Sequence, residues 1–167
     1  TSVRLGGKMA ALADDPLAIV REMGDPMQAS VLGFLVGLAE RDKKIKATLA
    51  GGTQMLAIAA LFKRHKKRNG CNADTMPDIA PTRYVAEDAS SSFRSLAGKL
   101  GVAVSVAQLD FSKSPYKGLR DYEKGFVKEG AGAGGAVVYA ERLGVPAARV
   151  VERTNALYRE FSGLAEQ

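Results

Sequence analysis

Lys46-Ala47-Thr48-Leu49-Ala50-Gly51-Gly52-Thr53-Gln54-Met55 is the stretch on which the fold turns. Lys46 to Ala50 is short and mostly apolar and reads as a buried strand. It runs into a pair of glycines. A strongly apolar helix then follows from about Gln54 to Lys67. A strand, a glycine pair and a helix make the repeating unit of a parallel α/β sheet. In such sheets ligands gather at the carboxyl ends of the strands, here at Gly51, Gly52 and Thr53.

Working outward from that unit, Gly70 to Pro81 reads as an exposed loop, rich in Asn, Asp and Pro. Thr82 to Ala86 reads as the second strand. Ser90 to Leu100 reads as a helix that stops at Gly101, and Val102 to Leu109 as a third, apolar strand with Asp110 at its carboxyl end. Right-handed crossovers make this rhythm a parallel sheet. Upstream, Asp15-Pro16 and Asp25-Pro26 each place an N-cap before a proline, which predicts helices from Pro16 to Met23 and from Pro26 to about Arg41, with a corner at Gly24. Downstream, Lys117 to Lys124 reads as helical. A glycine-rich turn follows, then helices over 134–143 and from Pro146 to about Leu164. The expected fold is a single α/β domain over 1–167, a Rossmann-like three-layer αβα arrangement on a parallel sheet with additional C-terminal helices.

The chain has 167 residues, 46% hydrophobic and 25% charged, which is ordinary for a globular domain with its own core. No apolar run is long enough to span a bilayer, and the N-terminus carries no signal-peptide core. A cytoplasmic chain with no membrane partner is expected. It does not begin with Met, which reads as a fragment or a processed chain. One cysteine, Cys71, excludes an internal disulfide and a Cys-based zinc site, and the single His65 lies in a cationic run. The net charge is +6, much of it in Lys63 to Arg68. Those cations sit where a helix ends before Gly70, and they oppose the negative end of its dipole. Without interleaved aromatic residues they make a poor nucleic-acid surface, and no nucleic acid is expected as a partner.

The chemistry concentrates in Gly125-Phe126-Val127-Lys128-Glu129-Gly130-Ala131-Gly132-Ala133-Gly134-Gly135. Glycines let backbone approach a ligand, and a helix N-terminus offers free N–H groups and positive potential. Glu129, at the lip of this turn, reads either as a solvated partner of Lys128 or as a general base whose pKa is raised by an apolar cavity. Gly130, Gly132 and Gly135 fit a dinucleotide fingerprint in spacing, but no strand precedes them. Close packing through small residues is the plainer reading of the same glycines. Gly51-Gly52-Thr53 reads as a tight turn or as a phosphate cradle. Gly24-Asp25 reads first as a helix corner. Glu87-Asp88 makes a weak metal site with no third carboxylate.

Asp15-Pro16-Leu17 through Met23-Gly24-Asp25-Pro26, then Leu49-Ala50-Gly51-Gly52-Thr53-Gln54-Met55, then Tyr122-Glu123-Lys124-Gly125-Phe126-Val127-Lys128-Glu129-Gly130-Ala131-Gly132-Ala133-Gly134-Gly135, stand in one order. Together they resemble the nicotinate-nucleotide–dimethylbenzimidazole phosphoribosyltransferase family, most closely its archaeal and cyanobacterial members. The resemblance covers nearly the whole chain and matches the carboxyl half of longer family members. It implies transfer of the 5-phosphoribosyl group from nicotinate mononucleotide to a benzimidazole or other aromatic base, in assembly of the cobamide lower ligand. It places the catalytic glutamate at Glu129. It implies substrate contacts at Gly24, Asp25, Gly51, Gly52, Thr53, Asp110, Lys128, Gly130 and Gly132. It implies neither a metal nor a cofactor, and a homodimer. The sequence departs from bacterial members where Glu22 stands near a phosphate-holding lysine, where Asp25 replaces a glycine, and where Gly51 replaces an acidic residue. Three other readings remain: a non-catalytic nucleotide-binding module of the same fold, a dinucleotide-dependent oxidoreductase, and a structural basic scaffold.

Overall fold

The computed structural model describes residues 12, 14–41, 45–70, 76–126 and 132–163. Helix α1 (Pro16–Met23) begins where Asp15 accepts hydrogen bonds from the N–H groups of Leu17 and Ala18, at 3.1 and 3.0 Å. Asp25 repeats the device for α2 (Pro26–Arg41), accepting from the Gln28 N–H at 2.8 Å. Both proline-led starts expected from the sequence are present, because each aspartate satisfies N–H groups that the helix cannot pair internally.

Strand β1 (Thr48–Ala50) leads through Gly51-Gly52 into α3 (Thr53–Arg68). It pairs in parallel with β2 (Asp78–Ala80), with Leu49 opposite Ile79. The second strand therefore lies inside the stretch that reads as a loop. Thr82 to Ala86, expected to be extended, instead holds the short helix α4 (Arg83–Ala86). Proline explains the change. Pro81 accepts from the Ala107 N–H at 3.0 Å but has no N–H to give, so a rung of the ladder is missing there and pairing ends one step later, where the Arg83 N–H donates to the Ala107 carbonyl at 3.1 Å. The Thr82 carbonyl then takes the Val85 and Ala86 N–H groups, at 3.2 and 3.1 Å, and the chain turns helical.

Helix α5 (Phe93–Leu100) ends at Gly101, whose φ of +65° is left-handed. The segment that follows runs beside β2 as an interrupted third rail. It is joined by parallel bridges from Ile79 to Val104 and from Thr82 to Ala107. Helix α6 (Lys117–Arg120) and a 3₁₀ turn (Asp121–Lys124) come next, then α7 (Ala133–Arg142) and α8 (Ala147–Ser162).

The sheet separates two apolar layers, giving a mixed α/β fold compatible with a Rossmann-like αβα domain. On one face Leu49 and Ile79 pack with Leu32 and Leu35 of α2, Leu56, Ile58 and Phe62 of α3, and Phe93 of α5. On the other, Ala80 and Ala107 pack with Leu109, Phe111, Tyr116, Leu119 and the α7 residues Val137 and Val138. The alternation follows the two-residue period of a strand, which sends neighbours such as Ile79 and Ala80 to opposite faces. Among the described residues no helix is long and apolar enough to cross a membrane.

Candidate functional site at the carboxyl ends of the strands

Gly51 leaves β1 with φ +143°, a backbone conformation that side-chain-bearing residues rarely adopt, and it donates to the Ala80 carbonyl at 3.2 Å. Gly52 caps α3 with no side chain, and Thr53 is the exposed first residue of the helix. The Gly52 carbonyl accepts from Met55 and Leu56. Among the described residues the N–H groups of Thr53 and Gln54 meet no acceptor. The positive end of a 16-residue helix therefore opens at the strand ends.

Helix α7 starts at the same place. Gly132 has φ +81° and turns the chain into it. A Cβ on Gly134 would lie 2.4 Å from the Ala80 carbonyl oxygen and from the Pro81 carbonyl carbon, and one on Gly135 would lie 2.3 Å from the Ala50 Cβ. Only glycine lets the first turn of α7 sit directly on the carboxyl ends of β1 and β2. The glycine motif thus acts in part as close packing. It follows a helix and a 3₁₀ turn, not a strand, so the context a dinucleotide fingerprint requires is missing.

A third group brings Arg83, Tyr84 and Glu123, to which the sequence assigns no role, together beside Asp110. Glu123, on the 3₁₀ turn, accepts from the Phe111 N–H at 2.7 Å, from the Tyr84 hydroxyl at 2.5 Å, and from the Arg83 guanidinium. Arg83 also donates through Nε to the Leu109 carbonyl, and its guanidinium lies 4.8 Å from the centre of the Tyr84 ring. Asp110 is 3.9 Å from Arg83 and accepts from the Ser112 N–H at 2.9 Å. The Arg83 and Glu123 side chains are only 26% and 19% exposed. Burial, with the hydrogen bond and charge of Glu123, pushes the Tyr84 phenol well above its ordinary value. For Arg83, burial is the largest single effect and works against the charge, but the hydrogen bond and charge of Glu123, with the contribution of Tyr84, together outweigh it and the pKa is raised. The Ser112 hydrogen bonds hold the Asp110 carboxyl below the usual carboxylate range.

An extended Thr82–Ala86 would have sent the side chains of Arg83 and Tyr84 to opposite faces. The helical turn after Pro81 brings both to Glu123, which is why a strand reading hid them. Tyr84, Tyr122, Glu87 and Lys124 join Arg83 and Glu123 around an open groove of about 350 Å³.

The other expected site residues are placed as follows. Asp110 stands at the carboxyl end of the third rail, as expected. Gly24 and Asp25 are engaged in their own corner: Gly24 donates to the Val20 carbonyl at 2.8 Å, and Asp25 caps α2. Lys128, Glu129 and Gly130 lie outside the described residues, as does Cys71. Asp88 accepts from the backbone and the hydroxyl of Ser90. Among the described residues no group of His, Cys, Asp or Glu is arranged to hold a metal ion. The basic run is largely taken up within the fold. Lys63 caps α5 through the Leu100 carbonyl at 2.7 Å, Arg64 faces Asp14, Arg68 pairs with Asp15 at 2.8 Å, and Lys66 is buried over the Phe62 ring.

No protein-family model matches the chain. It is similar to UPF0284 proteins of archaea. One from Pyrococcus furiosus is 45% identical over 159 residues, covering 95% of this chain and 45% of the relative. One from Thermococcus gammatolerans is 46% identical over 95% of this chain and 44% of the relative. One from Methanosarcina mazei is 45% identical over 84% of this chain and 38% of the relative. The chain thus spans less than half the length of these curated relatives.

Proposed function

We propose that the whole protein transfers the 5-phosphoribosyl group of nicotinate mononucleotide to an aromatic nitrogen base, with Glu129 as general base. The observation that carries this reading is the meeting of two glycine motifs. Gly51-Gly52 and Gly132 to Gly135 are more than seventy residues apart in sequence, yet Gly135 touches Ala50 at the end of β1. Two of the three motifs behind the family resemblance thus meet at the carboxyl ends of the strands, where ligands of this architecture bind.

In this mechanism the open N-terminus of α3 holds the phosphate. The ring nitrogen of the incoming base attacks the anomeric carbon, and its N–H proton passes to the Glu129 carboxylate. The bond to nicotinate breaks with its electron pair returning to the pyridinium nitrogen, so the leaving group needs no protonation. The protein's share is orientation, proton removal and phosphate binding. By the same resemblance the active species is a homodimer and the product serves cobamide lower-ligand assembly.

The test is mass spectrometry of the products that full-length protein forms from nicotinate mononucleotide and a panel of bases. A ribosylated base with released nicotinate is expected, and Glu129→Gln is expected to slow turnover by about two to four orders of magnitude while leaving mononucleotide binding intact. Binding without nicotinate release would leave a nucleotide-binding module. Near-normal turnover by the variant would place the base elsewhere.

A further inference from the structure

Glu123 joins three pieces of chain that are distant in sequence: the helical turn after β2, the end of the third rail, and the 3₁₀ turn on which it sits. Its Oε1 accepts from the Phe111 N–H at 2.7 Å and from the Tyr84 hydroxyl at 2.5 Å, while Oε2 takes the Arg83 guanidinium. Arg83 in turn holds the Leu109 carbonyl. Both backbone neighbours of Asp110 are therefore gripped by one ion pair, Leu109 through its carbonyl and Phe111 through its N–H. Asp110 itself is held more loosely: its side chain is 64% exposed, the Arg83 guanidinium stands 3.9 Å away, and its bond to the Ser112 N–H leaves acceptor capacity free.

We infer that Glu123 is a positioning residue, which with Arg83 clamps the Leu109–Phe111 backbone and so aims the Asp110 carboxylate at the hydroxyl groups of a substrate's sugar. The chemistry selects hydroxyls. An ionised carboxylate is an acceptor only, and vicinal hydroxyls donate to it, whereas a phosphate would be repelled by it. Arg83 is poorly suited to take that phosphate itself, because Glu123 already pairs its charge. The division of labour that follows places the phosphate at the N-terminus of α3 and the sugar at the end of the third rail. This inference rests on the phosphoribosyl reading above.

The experiment is steady-state kinetics of the full-length protein with nicotinate mononucleotide as varied substrate. Glu123→Gln keeps the size and the acceptor for Phe111 but turns an N–H toward Arg83. It is expected to raise KM for the mononucleotide about tenfold while changing kcat far less. Asp110→Asn should raise KM at least as much. Because Glu123 acts through Asp110, the double variant should be little worse than Asp110→Asn alone. Tyr84→Phe spares the ion pair and guards against a folding failure, and it should raise KM a few-fold.

An active wild type with unchanged KM in Glu123→Gln and Tyr84→Phe, or fully additive effects in the double variant, would overturn the positioning role. The same holds if Glu123→Gln lowers kcat and thermal stability together at constant KM, which is the mark of a merely structural residue. A wild type that releases no nicotinate would instead remove the transferase reading, and this inference with it.

Discussion

Gly135 of α7 lies against Ala50 of β1 so closely that a Cβ on the glycine would stand 2.3 Å from the alanine's own Cβ. That contact fixes how far the helix can descend onto the sheet. Gly135→Ala should therefore cost about 1–3 kcal/mol by forcing the helix outward. Gly134→Ala should cost more, because its added methyl meets backbone atoms of Ala80 and Pro81 rather than a side chain. Ala50→Gly in the Gly135→Ala background removes the obstructing methyl and should restore part of the loss, whereas it should not rescue Gly134→Ala. Urea midpoints of the four variants check this, and equal midpoints for Gly135→Ala and wild type would refute the packing role.

Much of this arrangement was legible in the residues. Asp-Pro pairs announced both N-terminal helices because cap and proline act within one turn of each other. The Gly51-Gly52 turn was legible for the same local reason. Strand β2 was not, because Pro77 and Pro81 flank it and its three residues are too few to show a period. Its identity as a strand comes from Ile79, fully buried between β1 and Val104, which is a long-range fact. The Arg83–Tyr84–Glu123 cluster was hidden for a related reason. Residues 83 and 123 meet only because the chain turns helical just after Pro81, and nothing within a short window records that. The glycine-rich turn reads both as a ligand loop and as close packing, and for its last two glycines the packing is realised.

The ion pair between Arg83 and Glu123 is mostly buried, and its removal is informative about stability as well as function. Glu123→Ala would take away the guanidinium's close carboxylate, leaving it the Leu109 carbonyl, the Tyr84 ring and the looser contact with Asp110 at 3.9 Å, and would strand the Phe111 N–H. Breaking one side of such a pair costs about 3–5 kcal/mol. Replacing both partners with apolar residues should cost less than that single change, because no uncompensated charge remains. Chemical denaturation of Glu123→Ala, Arg83→Met and the double variant measures the coupling. A strictly additive result would mean the two side chains do not depend on one another.

Tyr84 sets an alkaline limit. Burial and the neighbouring Glu123 carboxylate raise its pKa above the usual 10.0, so the folded protein holds the phenolic proton more tightly than the unfolded chain does. A raised pKa of this kind contributes stability that is complete below pH 10.0 and is lost as the pH climbs through the folded-state value. Wild type should accordingly lose stability with rising pH above 10.0, and Tyr84→Phe should show a shallower decline from a lower starting stability. Denaturation midpoints measured from neutral pH upward give both curves. Parallel alkaline limbs would show that Tyr84 is not the group responsible.

Helix α8 is held differently from the others, since none of its described residues is fully buried. Its docking relies on Tyr158, whose ring lies 4.9 Å from that of Tyr116, and on Asn155, whose Oδ1 accepts from the Ser114 hydroxyl at 2.5 Å. Ser114 is only 5% exposed, and its Oγ also accepts from the Tyr116 N–H. Asn155→Leu would leave that hydroxyl without its acceptor, a loss of about 1–3 kcal/mol. By contrast the exposed Arg149–Glu152 pair on the same helix should contribute no more than about 1 kcal/mol, and Glu152→Ala serves as the control. Hydrogen exchange locates the effect. In Asn155→Leu, protection should fall along Ala147–Ser162 and around Ser114 while α3 keeps its own. A uniform fall across both would mean that α8 is not anchored through this single bond but unfolds only with the whole domain.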